Sequence, residues 1–466
     1  MSPALAVVFG PLAATAAILL VRRWCGAIAI VGAAVSLVAA GFALADVARG
    51  IESATIVPGL PGMPLRLTAD PLGALLALTV AVVSFLIFTY AAGAMAGDPG
   101  QTRFFAGMAF FAAAMQTLVL AGDWLLFLAA WELIGFASYL LIGFWFARPG
   151  VGGAATRAFT TTRAADLGLY LGVFILTAAA GTTAIAASRQ VGGAAAAVAG
   201  LALLVAAIGK SAQVPLQGWL QDAMVGPTSV SALLHSATLV VAGVVLLSRA
   251  DPLLTPDVRF AIGVVGGVTA VVAGLSAVAQ RDVKRLLAAS TSSQIGLMLL
   301  ALGAGSVAAA VVHLVANAAM KSALFLGVGV FQHDRDSTAF AALAGVGRER
   351  RGVFAAVVVA GLALAGIPPL AGFWSKDAVI AAALDAPTAL ALAPLALAGA
   401  LLTGIYVARM LRLLWGDASD GGREPEAATA ELIAMGTGLA GLTALAAILG
   451  LALEPIGRLL GVDIPS

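Results

Sequence analysis

The sequence predicts an all-α polytopic membrane protein, and three observations carry that prediction. Of 466 residues, 61% are hydrophobic and 10% charged, and the mean hydropathy is +1.05, far more apolar than a soluble domain. Apolar runs of about 20 residues, enough to cross a bilayer, recur along the whole chain. The stretches between them are short, the longest near 49–71 and 331–352, so no soluble domain fits and function must reside in the membrane.

Fourteen spans are predicted, near residues 4–21, 26–48, 72–95, 104–121, 124–146, 164–181, 198–221, 228–248, 260–279, 286–305, 308–330, 353–378, 388–413 and 430–452. The first has no basic residue before its apolar run and no small-residue cleavage pattern after it. It therefore reads as a retained helix rather than a signal peptide. Two spans are interrupted, the seventh by Pro215 and the twelfth by Pro368 and Pro369. Each is the fourth helix of a five-helix block, and two blocks of an odd number of helices insert with opposite orientation, the pattern of inverted repeats. The division is then an N-terminal three-helix segment (1–103), a first inverted repeat (104–248), a second (260–413) and a C-terminal helix and tail (430–466). Each repeat is read as a proton half-channel.

Of the 25 basic residues, all but Arg49, Arg66, Arg189, Arg249, Arg259, Arg458 and three lysines fall in loops after odd-numbered spans. The positive-inside rule makes those loops cytoplasmic and places both termini outside. A single cysteine, Cys25, excludes a disulfide framework or a cysteine-ligated cluster, and three histidines exclude a haem array. No redox cofactor and no metal are expected on this chain.

The three remaining lysines, Lys210, Lys321 and Lys376, lie inside predicted spans, as do Glu132 and Asp166. A charge at a helix centre costs about 2.5–3.5 kcal/mol on insertion scales, so five on five helices point to function more than to five separate snorkelling side chains. Lys210 is spaced to share a helical face with Gln213, Gln217 and Gln221, a face that Pro215 interrupts. Next come Thr228, Ser231, His235 and Thr238, a hydroxyl stripe around a histidine that can relay protons. His313, Asn317 and Lys321 recur every fourth residue, and Ser290, Ser293 and Gln294 form a further polar stripe. Lys376 follows the second break. Arg163 and Asp166, three apart on one face, suit a structural pair or proton carriage, and the run QRDVKRLLA around Lys284 reads as a cytoplasmic anchoring turn.

The runs WELIGFASYLLIGFWF, GKSAQVPLQGWLQDAMVGPTSVSALLHSATLVVAGVVLL, RDVKRLLAASTSSQIGLMLLALG and HLVANAAMKSALFLGVG resemble the antiporter-like membrane subunits of respiratory complex I, the L-type in particular. Relatives of that type include the A-type subunit of Mrp cation/proton antiporters and subunits of membrane-bound hydrogenases. The resemblance covers nearly the whole chain. It implies fourteen core helices with two inverted repeats, and a first half-channel in which Glu132 and Lys210 form the charged pair beside His235. It further implies that Lys321 is the central connecting lysine and Lys376 the exit-side lysine, with Arg163 and Asp166 as an ion pair modulating Lys210. His313 is a weaker candidate, and Asn317 stands where the family often has a second histidine, so a step from His313 to Lys321 would use water. L-type subunits usually extend into a long lateral helix, whereas this sequence stops at Ser466, which bears on its place in such an arm.

The expected function is proton translocation in an NADH:quinone oxidoreductase-like complex of the bacterial plasma membrane. FMN, Fe–S clusters and quinone are expected only in partner subunits, making this a non-redox subunit of the enzyme. Subunits of a complex I-like or Mrp-like assembly, the lipid bilayer, protons and Na+ are the expected partners, with no nucleic acid. Two alternatives remain open: a subunit of an Mrp-type Na+/H+ antiporter, and the proton-conducting partner of an inorganic-carbon uptake system.

Overall fold

The computed structural model describes residues 2–60, 63–416 and 429–460. Arg423, counted above among the loop arginines, and residues 461–466 of the tail lie outside them. Long helices α1 (Pro3–Val21) and α2 (Cys25–Ala48) lead into an antiparallel hairpin, β1 (Ser53–Leu60) and β2 (Met63–Ala69). The hairpin stands where a plain loop was expected. It is tied down by Thr68 N donating to Leu120 O (2.7 Å) and Arg66 N donating to Asp123 Oδ2 (2.6 Å). Then follow α3 (Pro71–Ala94), α4 (Gln101–Val119), α5 (Trp124–Ile142), α6 (Val151–Ala180), the one-turn α7 (Ile185–Ser188), α8 (Gly193–Lys210) and the short α9 (Gly218–Asp222). The centre is built from α10 (Thr228–Ser236), α11 (Ala242–Ala250), α12 (Pro256–Ala279), α13 (Val283–Gly303) and α14 (Val307–Arg335). One-turn helices α15 (Phe340–Leu343) and α16 (Val346–Glu349) precede α17 (Arg351–Ala365), α18 (Ala371–Asp385), α19 (Ala389–Trp415), α20 (Thr429–Ile448) and α21 (Leu453–Leu459).

Among the described residues, thirteen helical stretches are long and apolar enough to cross a membrane. The expected twelfth span, 353–378, is two 15-residue helices, α17 and α18, separated by a turn at Gly366–Leu370. The expected eighth is also interrupted, by a 3-10 turn at Leu239–Val241 between α10 and α11. Helix starts follow local chemistry. Asp70, Asp123, Asp282 and Ser306 each accept a first-turn backbone N–H, at 2.8, 2.8, 3.0 and 3.2 Å, and so satisfy donors that a helix leaves free.

Burial sorts the helices. The window from Thr228 to Leu253 and most of α13 and α14 are enclosed by protein, whereas α1, α2 and α6 present much of their surface outward. Close approach of α12 to α13 depends on Gly266 and Gly296, since a methyl on either would collide with the other helix's backbone. The enclosed helices are the ones that hold His235, His313 and Lys321.

Candidate functional site

At the first break, α8 ends at Lys210 and the chain crosses Ser211–Gln217 without regular structure. Pro215 lacks an N–H, so helical bonding cannot continue through it. The freed carbonyls find protein donors: Ser211 N to Ala207 O (2.9 Å), Gln213 N to Ile208 O (2.9 Å) and Trp219 Nε1 to Gly209 O (2.9 Å). That satisfaction is what makes irregular backbone tolerable at membrane depth. The break also ends the expected face of glutamines. Gln213 Nε2 turns back to Ser211 O, and Gln221 donates to Ser276 on α12 (3.2 Å).

Lys210 is buried, and Nζ donates to Asp166 Oδ2 at 3.3 Å. The other carboxylate oxygen of Asp166 accepts from Trp131 Nε1 at 2.6 Å, and Lys210 Nζ lies 4.8 Å from the Trp131 ring. Gly135, one turn further along α5, leaves room for the ammonium, since a methyl there would lie 3.3 Å from Nζ.

Glu132 does not pair with Lys210, and Arg163 does not pair with Asp166; both expectations are corrected. Glu132 bonds to Arg163 and accepts from Tyr170 OH (2.6 Å). The reason is helical phase. Trp131 points into the bundle, so its neighbour Glu132 points outward, 23% exposed, toward Arg163 at 33%. On α6, Arg163, Asp166 and Tyr170 share a face on which the aspartate is buried and the arginine is not. Two ion pairs result, one inside and one at the bundle surface.

His235 on α10 is completely buried, and neither ring nitrogen has a hydrogen-bond partner among the described residues. Its hydroxyl neighbours bond elsewhere: Thr228 to Gln332, Ser231 to Pro227 O (3.3 Å) and Thr238 to Leu233 O. Gln213 Oε1, Gln217 Oε1 and Asn317 Oδ1 are likewise buried without a partner. On α14, Asn317 donates to Ser236 O (3.4 Å), and Lys321 Nζ donates to Ser290 Oγ and Leu287 O (3.1 Å).

Beyond Lys321 the polar groups join. His313 contacts Gln294 Oε1 through Nε2 (3.2 Å) and Ser375 Oγ through Nδ1 (3.0 Å). Gln294 in turn donates to Thr403 (3.0 Å) and Tyr406 OH (2.9 Å). Ser375 precedes Lys376, whose Nζ donates to Leu364 O at 2.5 Å. Leu364 is in the last turn of α17, where the break at Pro368–Pro369 leaves carbonyls without helical donors. Each break thus places a lysine beside it, and of the two only Lys210 has a carboxylate partner among the described residues.

Sequence reasoning misplaced Lys284. It is no anchoring turn: the side chain is buried, 2% exposed, and Nζ donates to Gly226 O at 2.8 Å. Leu287, one turn on along α13, supplies the carbonyl that holds Lys321. The signal available was that all four lysines of the chain share one rule, burial, which neighbouring Arg281 and Arg285 obscured.

Residues 121–403 match the family model described as NADH:quinone oxidoreductase/Mrp antiporter, TM, and residues 61–105 match complex I chain 5 N-terminus. NADH-quinone oxidoreductase subunit L of Mycobacterium tuberculosis is 42% identical over 363 residues, covering 74% of this chain and 56% of that protein. The Pseudomonas aeruginosa subunit L is 45% identical over 344 residues, covering 71% and 55%. This chain therefore spans a little over half the length of these relatives. Among solved structures, the Mrp complex from Dietzia sp. superposes with a TM-score of 0.87 at 31% identity, over 100% of this chain and 52% of that one. A chain of an archaeal membrane-bound sulfane sulfur reductase shares the fold, with a TM-score of 0.86 at 21% identity over 99% of this chain and 96% of that one.

Proposed function

This chain belongs to the NADH:quinone oxidoreductase/Mrp antiporter transmembrane family, and on that premise we propose that it moves protons through the membrane as a subunit of an NADH:quinone oxidoreductase-like complex. One observation carries the reading: Asp166, Lys210, His235, Lys321, His313 and Lys376 are all buried, on α6, α8, α10, α14 and α18. Burying that many ionisable groups in an apolar bundle is costly, and the usual return is a proton or ion path.

The mechanism follows from the pairing. With Asp166 at 3.3 Å, the Lys210 ammonium is held; when the pair opens, an isolated buried charge is unfavourable and the proton leaves. The broken helix beside Lys210 and the space over Gly135 are where such an opening has room. His235, with two free ring nitrogens, takes and passes the proton. Water bridges the unpartnered atoms of Gln213, Gln217 and Asn317 toward Lys321, as buried orphan polar groups require. Lys376, held by a single carbonyl, releases the proton on the far side. The two helix breaks, in corresponding places of the two five-helix blocks, support the inverted-repeat division 104–248 and 260–413. The excess of arginine at one end of the bundle, with Arg148, Arg335, Arg348 and Arg350 there, supports a cytoplasmic assignment for that end and outward-facing termini.

Redox chemistry, with flavin, iron–sulfur clusters and quinone, falls to partner subunits. The surface pair Glu132–Arg163 supports the existence of a neighbour in the membrane. It sits among exposed Leu133, Phe136, Leu140 and Leu167, and lipid is a poor cover for a half-exposed ion pair.

A second reading, a subunit of an Mrp-type Na+/H+ antiporter, is favoured by the superposition of the entire chain on the Mrp structure. Purification of the tagged protein in mild detergent, with mass spectrometry of what accompanies it, separates the two. Recovery of flavin and iron–sulfur subunits is the expected result. Recovery of small membrane partners alone would transfer the assignment to antiport.

A further inference from the structure

A groove of about 1000 Å³ runs down the bundle from its arginine-rich end, between α1, α4 and α5. It matches the largest small-molecule sites, which reach roughly 1,000 Å³, and none of the buried lysines or histidines lines it. Its lining changes character with depth. Arg22, just past the end of α1, and Arg103, in the first turn of α4, stand at the mouth. Thr15 and Phe110 mark its inner end, each seven residues from the arginine of its own helix, roughly 10 Å along the axis. Between the two levels the walls are Leu19, Ala106, Gly107 and Leu141. The Thr15 hydroxyl donates to Pro11 O (3.0 Å), so even the inner end offers the groove no free donor there.

The two guanidiniums at the mouth are held in place without being neutralised. Arg103 lies over the rings of Phe144 (4.8 Å) and Phe146 (5.0 Å) and donates to Phe144 O (2.8 Å). Arg22 donates to Leu19 O (3.3 Å). Each keeps most of its five N–H donors for another acceptor. Among the described residues neither forms an ion pair, whereas Arg157, Arg163, Arg249 and Arg259 all do. The carboxylate of Asp98, near the mouth, is taken by Gly100 N (2.6 Å). An arginine fixed on aromatic faces is preorganised for phosphate. Trp24, 79% exposed and two residues beyond Arg22, is a side chain of the kind that marks the headgroup level of a bilayer.

We infer that this groove binds an anionic phospholipid, its phosphodiester on Arg22 and Arg103 and an acyl chain along the wall of Leu19, Gly107 and Phe110. A positive mouth over an apolar slot matches an amphiphile standing along the membrane normal, and basic pockets between membrane helices are where acidic headgroups bind. Gly152 leaves the mouth open, since nothing lies within 4 Å of where its Cβ would stand. The inference does not depend on what the chain transports.

The test uses the assembled complex, freed of loosely held lipid in mild detergent. It is titrated with palmitoyl-oleoyl phosphatidylglycerol and, separately, with palmitoyl-oleoyl phosphatidylcholine, while native mass spectrometry counts the lipids retained. The variants are Arg22→Gln with Arg103→Gln, and Gly152→Phe, which fills the mouth and leaves both arginines in place. Assembly of each is checked on native gels. The expected result is one phosphatidylglycerol held by the unmodified complex and bound about thirtyfold more weakly by the double variant, the product of two arginine–headgroup contacts. Gly152→Phe is expected to lose the same lipid, and phosphatidylcholine not to replace it. Should the double variant fail to assemble, Gly152→Phe carries the test by itself. Equal retention of phosphatidylglycerol by the assembled variants overturns the site, as does phosphatidylcholine held as tightly. No lipid retained by the unmodified complex, the outcome if a neighbouring subunit fills the groove, overturns it too.

Discussion

Lys210 Nζ stands 3.3 Å from Asp166 Oδ2, and the two side chains are 1% and 2% exposed. Asp166→Asn therefore leaves an ammonium buried without its counter-charge, a change that costs about 3–5 kcal/mol in comparable buried pairs. The expected outcome is a lower melting temperature of the purified complex and loss of proton transport. Combining it with Lys210→Met removes both charges, so stability is expected to return while transport does not.

Glu132→Gln is expected to behave differently, because Glu132 bonds Arg163 and Tyr170 at the bundle surface rather than Lys210. Melting of this chain should change less than for Asp166→Asn. Retention of neighbouring membrane subunits on native gels should fall. A larger effect of Glu132→Gln than of Asp166→Asn on the melting of this chain would contradict the pairing described.

His235 sets stability against function. Among the described residues neither ring nitrogen has a side-chain or backbone partner, so replacing the imidazole breaks no hydrogen bond within the fold. His235→Phe, of similar shape and still edge-on to Trp219, is expected to hold or raise the melting temperature while proton transport is lost. Retained transport would remove His235 from the path.

Lys284→Met makes a related test. The lysine is in the first turn of α13, the positive end of the helix dipole, with one carbonyl acceptor. A methionine of similar length is expected to keep the fold stable. Since Leu287 on the same face holds Lys321, transport is expected to fall, as read by dye quenching in inverted vesicles.

The membrane class and both helix breaks were legible from sequence because hydropathy and proline act locally. Pro215 and Pro368–Pro369 interrupt helices wherever the rest of the chain goes. The pairing was not legible. Residues 131 and 132 lie about 100° apart around α5, and which of them meets Lys210 depends on how α5, α6 and α8 pack, which spacing along one helix does not encode. The face Lys210–Gln213–Gln217–Gln221 failed for the opposite reason: a helical period was carried through a proline that ends it. Lys284 was hidden by its arginine neighbours, because burial there comes from the short 3-10 turn Ala223–Val225 and Gly226, distant in sequence, folding over the helix start. The hairpin at 53–69 was missed because it joins two membrane helices whose apolar signal dominates the surrounding sequence.

The central claim is that the Lys210 ammonium carries the transported proton. Its most direct test is the initial rate of proton uptake into inverted membrane vesicles carrying Lys210→Ala, with assembly checked on native gels. The expected result is a normally assembled complex with no uptake above a strain lacking the subunit. Normal assembly with uptake at the unmodified rate would contradict it.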